Sequence, residues 1–171
     1  EQIPHPFGNL VRVVDAQVQQ LPYFRNNVLH LFAVPALIAC LVGNNRSLDV
    51  QRLTDAVVGI YGVMRSALFM RWTEAELLHE IQHTIAVFAE RGLLRRAERS
   101  GWLLAPETNS QEFPELHMIG ETLRPMLGRH FLALALLQQR GSGKLTRAVL
   151  EKDCQSLAQR LALLHGFGEA E

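Results

Sequence analysis

Apolar residues along most of the chain recur at intervals of three and four, which is the spacing of an amphipathic α-helix. Clear stripes of this kind fall within 47–69, 73–91 and 146–164. Between 23 and 42 nearly every position past Asn27 is apolar, which is typical of a helix that is buried or lies against lipid. Pro35 interrupts this segment and predicts a kink. The apolar stretch, at about 15 residues, is shorter than the roughly 20 that cross a bilayer.

Polar and glycine residues mark where these helices begin and end. Gly43 and the asparagines after it are expected to end the apolar helix, and Ser47 is expected to cap the next one. Thr73 and Glu76 form a capping-box pattern in front of the third stripe. Gly92 follows that stripe and predicts its end.

A short segment after the third helix has the pattern of a β-hairpin. Residues 93–106 carry two short apolar runs, and a polar break at 99–101 separates them. The order helix, helix, hairpin is that of a winged-helix unit. Residues 114–139 are helical in pattern again, and Pro125 and Gly128 are expected to bend or divide them before a flexible Gly-Ser-Gly connector.

These patterns predict a mainly α-helical fold with a winged-helix-like middle section and one small β-hairpin. A chain of 171 residues is long enough for one domain with its own core. We therefore expect a single helical region over 1–171. Within it we place N-terminal helices in 10–45, the winged-helix-like unit in 47–106 and C-terminal helices in 113–165.

Composition limits the possible partners and the compartment. Lysine plus arginine and aspartate plus glutamate both number 17, so no overall field gathers nucleic acid or anionic lipid from a distance. Cys40 and Cys154 occupy apolar helical positions, which favours packing and a reducing compartment. The chain begins with Glu1 and lacks a signal-peptide pattern, so we expect a piece of a longer polypeptide.

The sequence His79-Glu80-Ile81-Gln82-His83 matches a zinc motif of metallopeptidases, in which two histidines one turn apart bind the metal and the glutamate activates water. Helical spacing, however, places both histidines opposite the apolar stripe. A solvated helix face is therefore favoured, and a zinc metallopeptidase-like domain is one alternative function.

A winged-helix nucleic-acid-binding regulator is the other alternative. Its second helix would enter the major groove of DNA. That helix carries four glutamates and no lysine or arginine before Arg91, so it would repel phosphates. Three hairpin arginines, Arg95, Arg96 and Arg99, could contact an anion, but exposed arginines are more often simply solvated, so a solvated surface is favoured.

Polar residues open the most apolar helix, where a purely structural helix would carry better helix formers. They are Tyr23, Arg25, Asn26, Asn27 and His30, with Phe24 among them. Such groups either bond to neighbouring backbone and cap a buried end or form an interface, and the sequence leaves both interpretations open.

Three motifs in order resemble the C-terminal region of the bacterial inner-membrane glycerol-3-phosphate acyltransferase family, from about Leu21 onward. The first comprises Tyr23, Phe24, Arg25, Asn26, Asn27, His30 and Pro35. The second is Leu68-Phe69-Met70-Arg71-Trp72. The third is Leu150-Glu151-Lys152, followed by Ala158-Gln159-Arg160-Leu161 and Leu164-His165-Gly166.

The resemblance implies a parent enzyme that transfers an acyl group from acyl carrier protein or acyl-CoA to glycerol 3-phosphate, with a histidine and an aspartate separated by four residues as its reacting pair. No histidine of this chain has an aspartate five positions further on. The resemblance therefore implies a non-catalytic C-terminal region without catalytic, substrate-binding or metal residues, inactive by itself and without a cofactor.

We expect this region to pack on the catalytic domain of the same polypeptide and to help hold it peripherally at the cytoplasmic face of the bacterial inner membrane. Membrane lipid is therefore an expected partner and nucleic acid is not. Acyl carrier protein, acyl-CoA and glycerol 3-phosphate would be met through the parent enzyme. The interface candidates are Tyr23, Arg25, Asn26, Asn27, His30, Arg71, Trp72, Arg160 and His165.

Overall fold

A computed structural model describes residues 2–3, 10–11, 20–65, 68, 70–97, 101–141 and 143–165, with the backbone alone for 2–3, 10–11, 20–26 and 162–165. The described part is mainly α-helical with small antiparallel sheets, which confirms the predicted fold class. The helices are α1 (Gln20–Asn45), α2 (Val50–Met64), α3 (Glu74–Glu90), α4 (Glu112–Glu121), α5 (Arg124–Arg140) and α6 (Arg147–His165). The strands are β1 (Gln2–Ile3), β2 (Leu10–Val11), β3 (Ser47–Asp49), β4 (Arg95–Arg96) and β5 (Trp102–Leu104).

The chain divides into two compact units, Glu1–Leu123 and Arg124–Glu171. In the first unit, β1 and β2 pair antiparallel ahead of α1. The predicted subdivision into 10–45, 47–106 and 113–165 stays a prediction. We call the part of the first unit from α1 to β5 the winged-helix unit, and α5 with α6 the helical hairpin.

The winged-helix unit contains a three-stranded sheet in the order β3-β5-β4. Both neighbours run antiparallel to β5, with Leu48 opposite Leu103 on one side and Arg96 opposite Leu103 on the other. Helices α2 and α3 lie between β3 and β4 in the chain, and α1 precedes β3. This order of elements is that of a winged helix.

The start of α2 differs from the sequence-based expectation. Ser47 does not cap the helix, because its backbone belongs to β3 and pairs with Leu104. Asp49 is the cap, and its Oδ1 accepts hydrogen bonds from the backbone N–H groups of Gln51 at 2.9 Å and Arg52 at 3.1 Å. A carboxylate two residues later thus satisfies two otherwise unpaired helix donors.

The predicted limits of α3 are confirmed. The Thr73 backbone N–H donates to Glu76 Oε2 at 2.9 Å, and the Glu76 N–H donates to the Thr73 hydroxyl at 3.5 Å, which completes a capping box. Gly92 lies just past the end of the helix with a φ of 74°, a left-handed conformation that costs glycine little.

The predicted hairpin is present over β4 and β5, but its first strand is Arg95–Arg96 rather than the apolar pair before it. Leu93 and Leu94 are both essentially inaccessible, and they enter the core before the strand starts. Residue Arg99, which was predicted for the polar break, lies outside the described residues.

Helix α1 is the centre of the winged-helix unit, and α2, α3 and α4 all pack on it. It is one continuous helix through Pro35. Its inner face is fully buried at residues such as Leu37 and Ile38. Helix α4 approaches α1 closely, since a Cβ at Gly120 would stand 3.2 Å from the backbone nitrogen of Cys40. The thiol of Cys40 lies 3.5 Å from the carbonyl oxygen of Gly120 as a weak donor.

The helical hairpin consists of α5 and α6 packed on each other. The predicted division near Pro125 is confirmed, since α4 ends at Glu121 and α5 begins at Arg124. Two ion pairs stabilise the hairpin locally, Arg140 with Asp153 at 3.6 Å and Arg147 with Glu151 at 2.7 Å.

Candidate interaction surfaces

The N-terminal half of α1 presents an apolar face that the described residues leave exposed. Val28, Leu31 and Phe32 are spaced by three and four, so they lie on the same side of the helix. Their exposed fractions are 44%, 56% and 49%. Leu29 and Ala33 on the other side are buried. The helix therefore has one face in the core and, in its N-terminal half, a second apolar face that is available for a contact. We call Val28, Leu31 and Phe32 the α1 apolar face.

Residues Asn27–Asn45 of α1, with a mean hydropathy of 1.7, are sufficient by length and composition to cross a membrane, and at 19 residues they exceed the stretch of about 15 expected from the sequence. Half of that window is buried inside the protein. A core helix satisfies the same length and composition, and the packing of three other helices on α1 explains the apolar character of its buried half.

The predicted interface residues at the start of α1 fall into two groups. Tyr23, Arg25 and Asn26 lie in its first two turns, where only the backbone is described. Asn27 is exposed and His30 is half-buried. An interface role for these five residues stays a prediction.

Arg71 and Trp72 lie in the segment that leads into α3. The Arg71 guanidinium stacks 4.6 Å above the Trp72 ring. The Trp72 backbone N–H donates to the hydroxyl of Tyr61 at 3.0 Å, and Tyr61 is buried in α2. These contacts tie the segment to α2, a structural role that the motif did not predict.

The remaining interface candidates lie on α6. Arg160 is exposed, and His165 is the last residue of the helix, with only its backbone described. The nine predicted residues therefore occupy three separate segments of the chain: the start of α1, the segment before α3, and α6.

The histidines of the zinc motif lie on the solvent side of α3. His79 and His83 are exposed, whereas Ile81 between them is buried. Among the described residues, no group of three histidine, cysteine or carboxylate side chains is arranged to hold a metal ion. Nothing in the described part of the chain thus supplies the third ligand that a catalytic zinc needs.

The helix that would read DNA in a winged-helix regulator is acidic. Thr73 holds the pKa of Glu76 below its ordinary value, chiefly because its backbone N–H donates to the carboxylate and secondly because its hydroxyl does. On β4 of the predicted β-hairpin, Arg95 lies 3.6 Å from Glu107 in an ion pair. A helix rich in carboxylates and an arginine already paired with a carboxylate do not favour phosphate binding.

The positive charge of the helical hairpin is not evident from the overall composition, because the chain as a whole is neutral. Residues 124–165 contain seven lysines and arginines but only two carboxylates. The same hairpin exposes large apolar side chains, with exposed fractions of 69% for Phe131, 52% for Leu134 and 45% for Val149. Counting charge segment by segment would have revealed the first feature, but not the second.

Comparison with known proteins identifies the family. The family model described as glycerol-3-phosphate acyltransferase C-terminal region matches residues 1–171. A glycerol-3-phosphate acyltransferase of Xylella fastidiosa (strain M12) is 36% identical over 166 residues, which are 96% of this chain and 19% of that protein. Glycerol-3-phosphate acyltransferases of Xanthomonas axonopodis pv. citri (strain 306) and Pseudomonas putida (strain W619) are 35% and 33% identical, each over 96% of this chain.

This chain spans about a fifth of the length of those relatives. No solved structure matches it. The match to the family covers every residue, including the three motifs that carry the resemblance. The chain therefore belongs to the family of glycerol-3-phosphate acyltransferase C-terminal regions.

Proposed function

We propose that the chain is the non-catalytic C-terminal region of an enzyme that transfers an acyl group from acyl carrier protein or acyl-CoA to glycerol 3-phosphate in phospholipid synthesis. Relatives that carry the acyltransferase name are about five times longer than the part they share with this chain. No histidine in the 171 residues has an aspartate five positions further on. A general base oriented by a carboxylate of that spacing would thus be supplied by another part of the enzyme.

The role proposed for this region is to pack on the catalytic domain and to help hold the enzyme peripherally at the cytoplasmic face of the bacterial inner membrane. The observation that supports packing is the α1 apolar face. Leu31 and Phe32 are each about half exposed, although they belong to the helix that organises the core. Covering two such side chains would contribute on the order of 2 kcal/mol to docking.

Substitutions in the full-length acyltransferase that carries this chain test the docking role. Leu31→Asp with Phe32→Asp would bury two charges in the proposed contact, at a cost far above the lost apolar burial. We expect acyl transfer to glycerol 3-phosphate to fall at least about tenfold, because the catalytic domain would lose its support. Limited proteolysis should then separate this region from the catalytic domain.

The matched control is Met118→Asp, on α4, where the methionine is 66% exposed. It places one carboxylate on an exposed apolar position of another helix, so activity should be unchanged. Full activity of the double variant would contradict docking through α1. Transfer of an acyl group by the isolated chain would contradict the non-catalytic role itself.

A further inference from the structure

The neutral chain distributes its charge unevenly. Residues 1–123 contain ten lysines and arginines and thirteen carboxylates, 124–165 contain seven and two, and 166–171 contain none and two. The net charge of the whole chain therefore gives no indication of the positive excess in the helical hairpin. A local excess of this size attracts anions over about a Debye length, roughly 8 Å at physiological salt.

Both carboxylates of the hairpin are already engaged, Asp153 with Arg140 and Glu151 with Arg147. Four other cationic side chains are exposed and have no ion pair among the residues that the structure describes. These side chains are Arg129, Lys144, Lys152 and Arg160. The hairpin therefore keeps cations available for an external anion.

Exposed apolar groups accompany these cations. Phe131 and Leu134 share one face of α5 with the half-buried Leu127. On α6, helical spacing puts the exposed Val149 on the same side as Lys152 and Arg160. Helices that lie in the plane of a membrane surface combine large apolar residues with lysine and arginine in this way.

We propose that the helical hairpin lies on an anionic lipid surface, with Phe131 and Leu134 entering the boundary between headgroups and acyl chains and with Lys144, Lys152 and Arg160 near lipid phosphates. The inference rests on the proposed function and names the part of the chain and the lipid chemistry that hold it at the membrane. Lys144 lies in the connector between the two helices and Lys152 lies on α6, whereas Phe131 and Leu134 lie on α5. The two lysines therefore attract lipid phosphates over about the width of a helix, roughly 10 Å. Binding should therefore weaken steeply as salt rises.

Sedimentation of the purified chain with lipid vesicles tests this inference. Vesicles of phosphatidylcholine with about a third phosphatidylglycerol should bind the chain, vesicles of phosphatidylcholine alone should bind it weakly, and added salt should release it. Replacing Lys144, Lys152 and Arg160 together by glutamine should weaken binding at least about tenfold. Phe131→Ser with Leu134→Ser should weaken it by about the same factor.

Matched controls lie in the first unit, Glu1–Leu123. Arg95→Gln with Arg96→Gln removes two exposed arginines, and Met118→Ser removes an exposed apolar side chain. Both should bind as the unaltered chain does. Circular dichroism of each variant should show unchanged helix content, so that a loss of binding reports the surface rather than unfolding.

Other results would overturn the inference in distinguishable ways. Equal binding to both kinds of vesicle, insensitive to the hairpin variants, would leave membrane attachment intact but assign it to another surface. Binding to neither would overturn membrane attachment too, and docking through α1 would still be judged by the activity of its own variants. Binding to the acidic acyl carrier protein but to no vesicle would assign the hairpin to a protein partner.

Discussion

The winged-helix unit and the helical hairpin bury their apolar residues to very different extents. In the described part of the chain, every nearly inaccessible apolar side chain except Leu136 lies between residues 29 and 123. In the hairpin, α6 packs on α5, and its apolar residues such as Leu150 and Leu157 are only half-buried. The first part therefore contains a core, and the second contains only the strip that two helices can bury between them.

This difference separates residues that fold the protein from those available for contacts. A helix in water is stabilised mainly by packing of its apolar face rather than by its own propensity. The hairpin has little such packing. We therefore interpret its exposed apolar residues as available for contact with a surface that is not part of the hairpin. On α1 the two roles meet in one helix, since its inner face organises the core and its outer face carries Leu31 and Phe32.

The largest expected effect is the difference between equivalent leucines in the two parts. Leu37 is fully inaccessible, so Leu37→Ala should lower the free energy of unfolding by about 3 kcal/mol. Leu157 is half-buried, and Leu157→Ala should cost about 1 kcal/mol or less. Urea denaturation followed by circular dichroism measures both. Equal losses would show that the hairpin is packed as tightly as the core.

The contact of α1 with α4 should be the next most sensitive. Gly120→Val adds a branched side chain where a Cβ already meets the Cys40 backbone at 3.2 Å, so we expect a loss of about 2 kcal/mol. The control is Gly59→Ala on α2, where a Cβ meets nothing within 4 Å. It should stabilise by up to about 1 kcal/mol, because alanine favours a helix interior. Unchanged stability of Gly120→Val would mean that the helices separate at low cost.

Much of the fold could be predicted because local patterns agree with the final packing. The capping box at Thr73 and the glycine at 92 mark α3 correctly, since both depend on backbone groups close in sequence. Strand β3 was missed because it has only three residues and pairs with β5, more than fifty positions away. The same pairing moved the cap of α2 from Ser47 to Asp49.

The candidate surfaces were less predictable. A helix that is apolar nearly all round gives no indication of which face will be covered, so the exposure of Leu31 followed only from the placement of α2, α3 and α4. Trp72 was singled out by its motif, but its bond to Tyr61 depends on the fold. Residues that contact another molecule carry no local signal distinct from residues that contact the core.

A smaller effect compares the N-terminal caps of two helices. Thr73→Ala breaks the capping box of α3 in the winged-helix unit and should lower the free energy of unfolding by about 1 kcal/mol. Thr146 accepts a hydrogen bond from the Val149 N–H at 3.4 Å at the start of α6. Thr146→Ala should increase hydrogen exchange within α6 and leave the main unfolding transition in place. A large shift of that transition would show that the two parts unfold together.

The smallest expected effect is a pH dependence carried by Glu76. Its pKa is lowered in the folded protein because the backbone N–H and the hydroxyl of Thr73 donate to its carboxylate. A depressed pKa stabilises the fold above the pKa of the unfolded chain, and this contribution is lost as the pH falls through the folded value. Glu76→Gln removes the titration while keeping the shape of the side chain.

The variant should therefore be slightly less stable than the unaltered chain at neutral pH, and the difference should disappear under acid conditions. Denaturation curves of both proteins across the acid range measure this difference, and the other titrating groups cancel because both proteins share them. If the difference in free energy of unfolding between the two proteins stays constant with pH, Glu76 acts through packing alone. Since α3 belongs to the winged-helix unit, hydrogen exchange in the helical hairpin should be the same in both proteins at every pH.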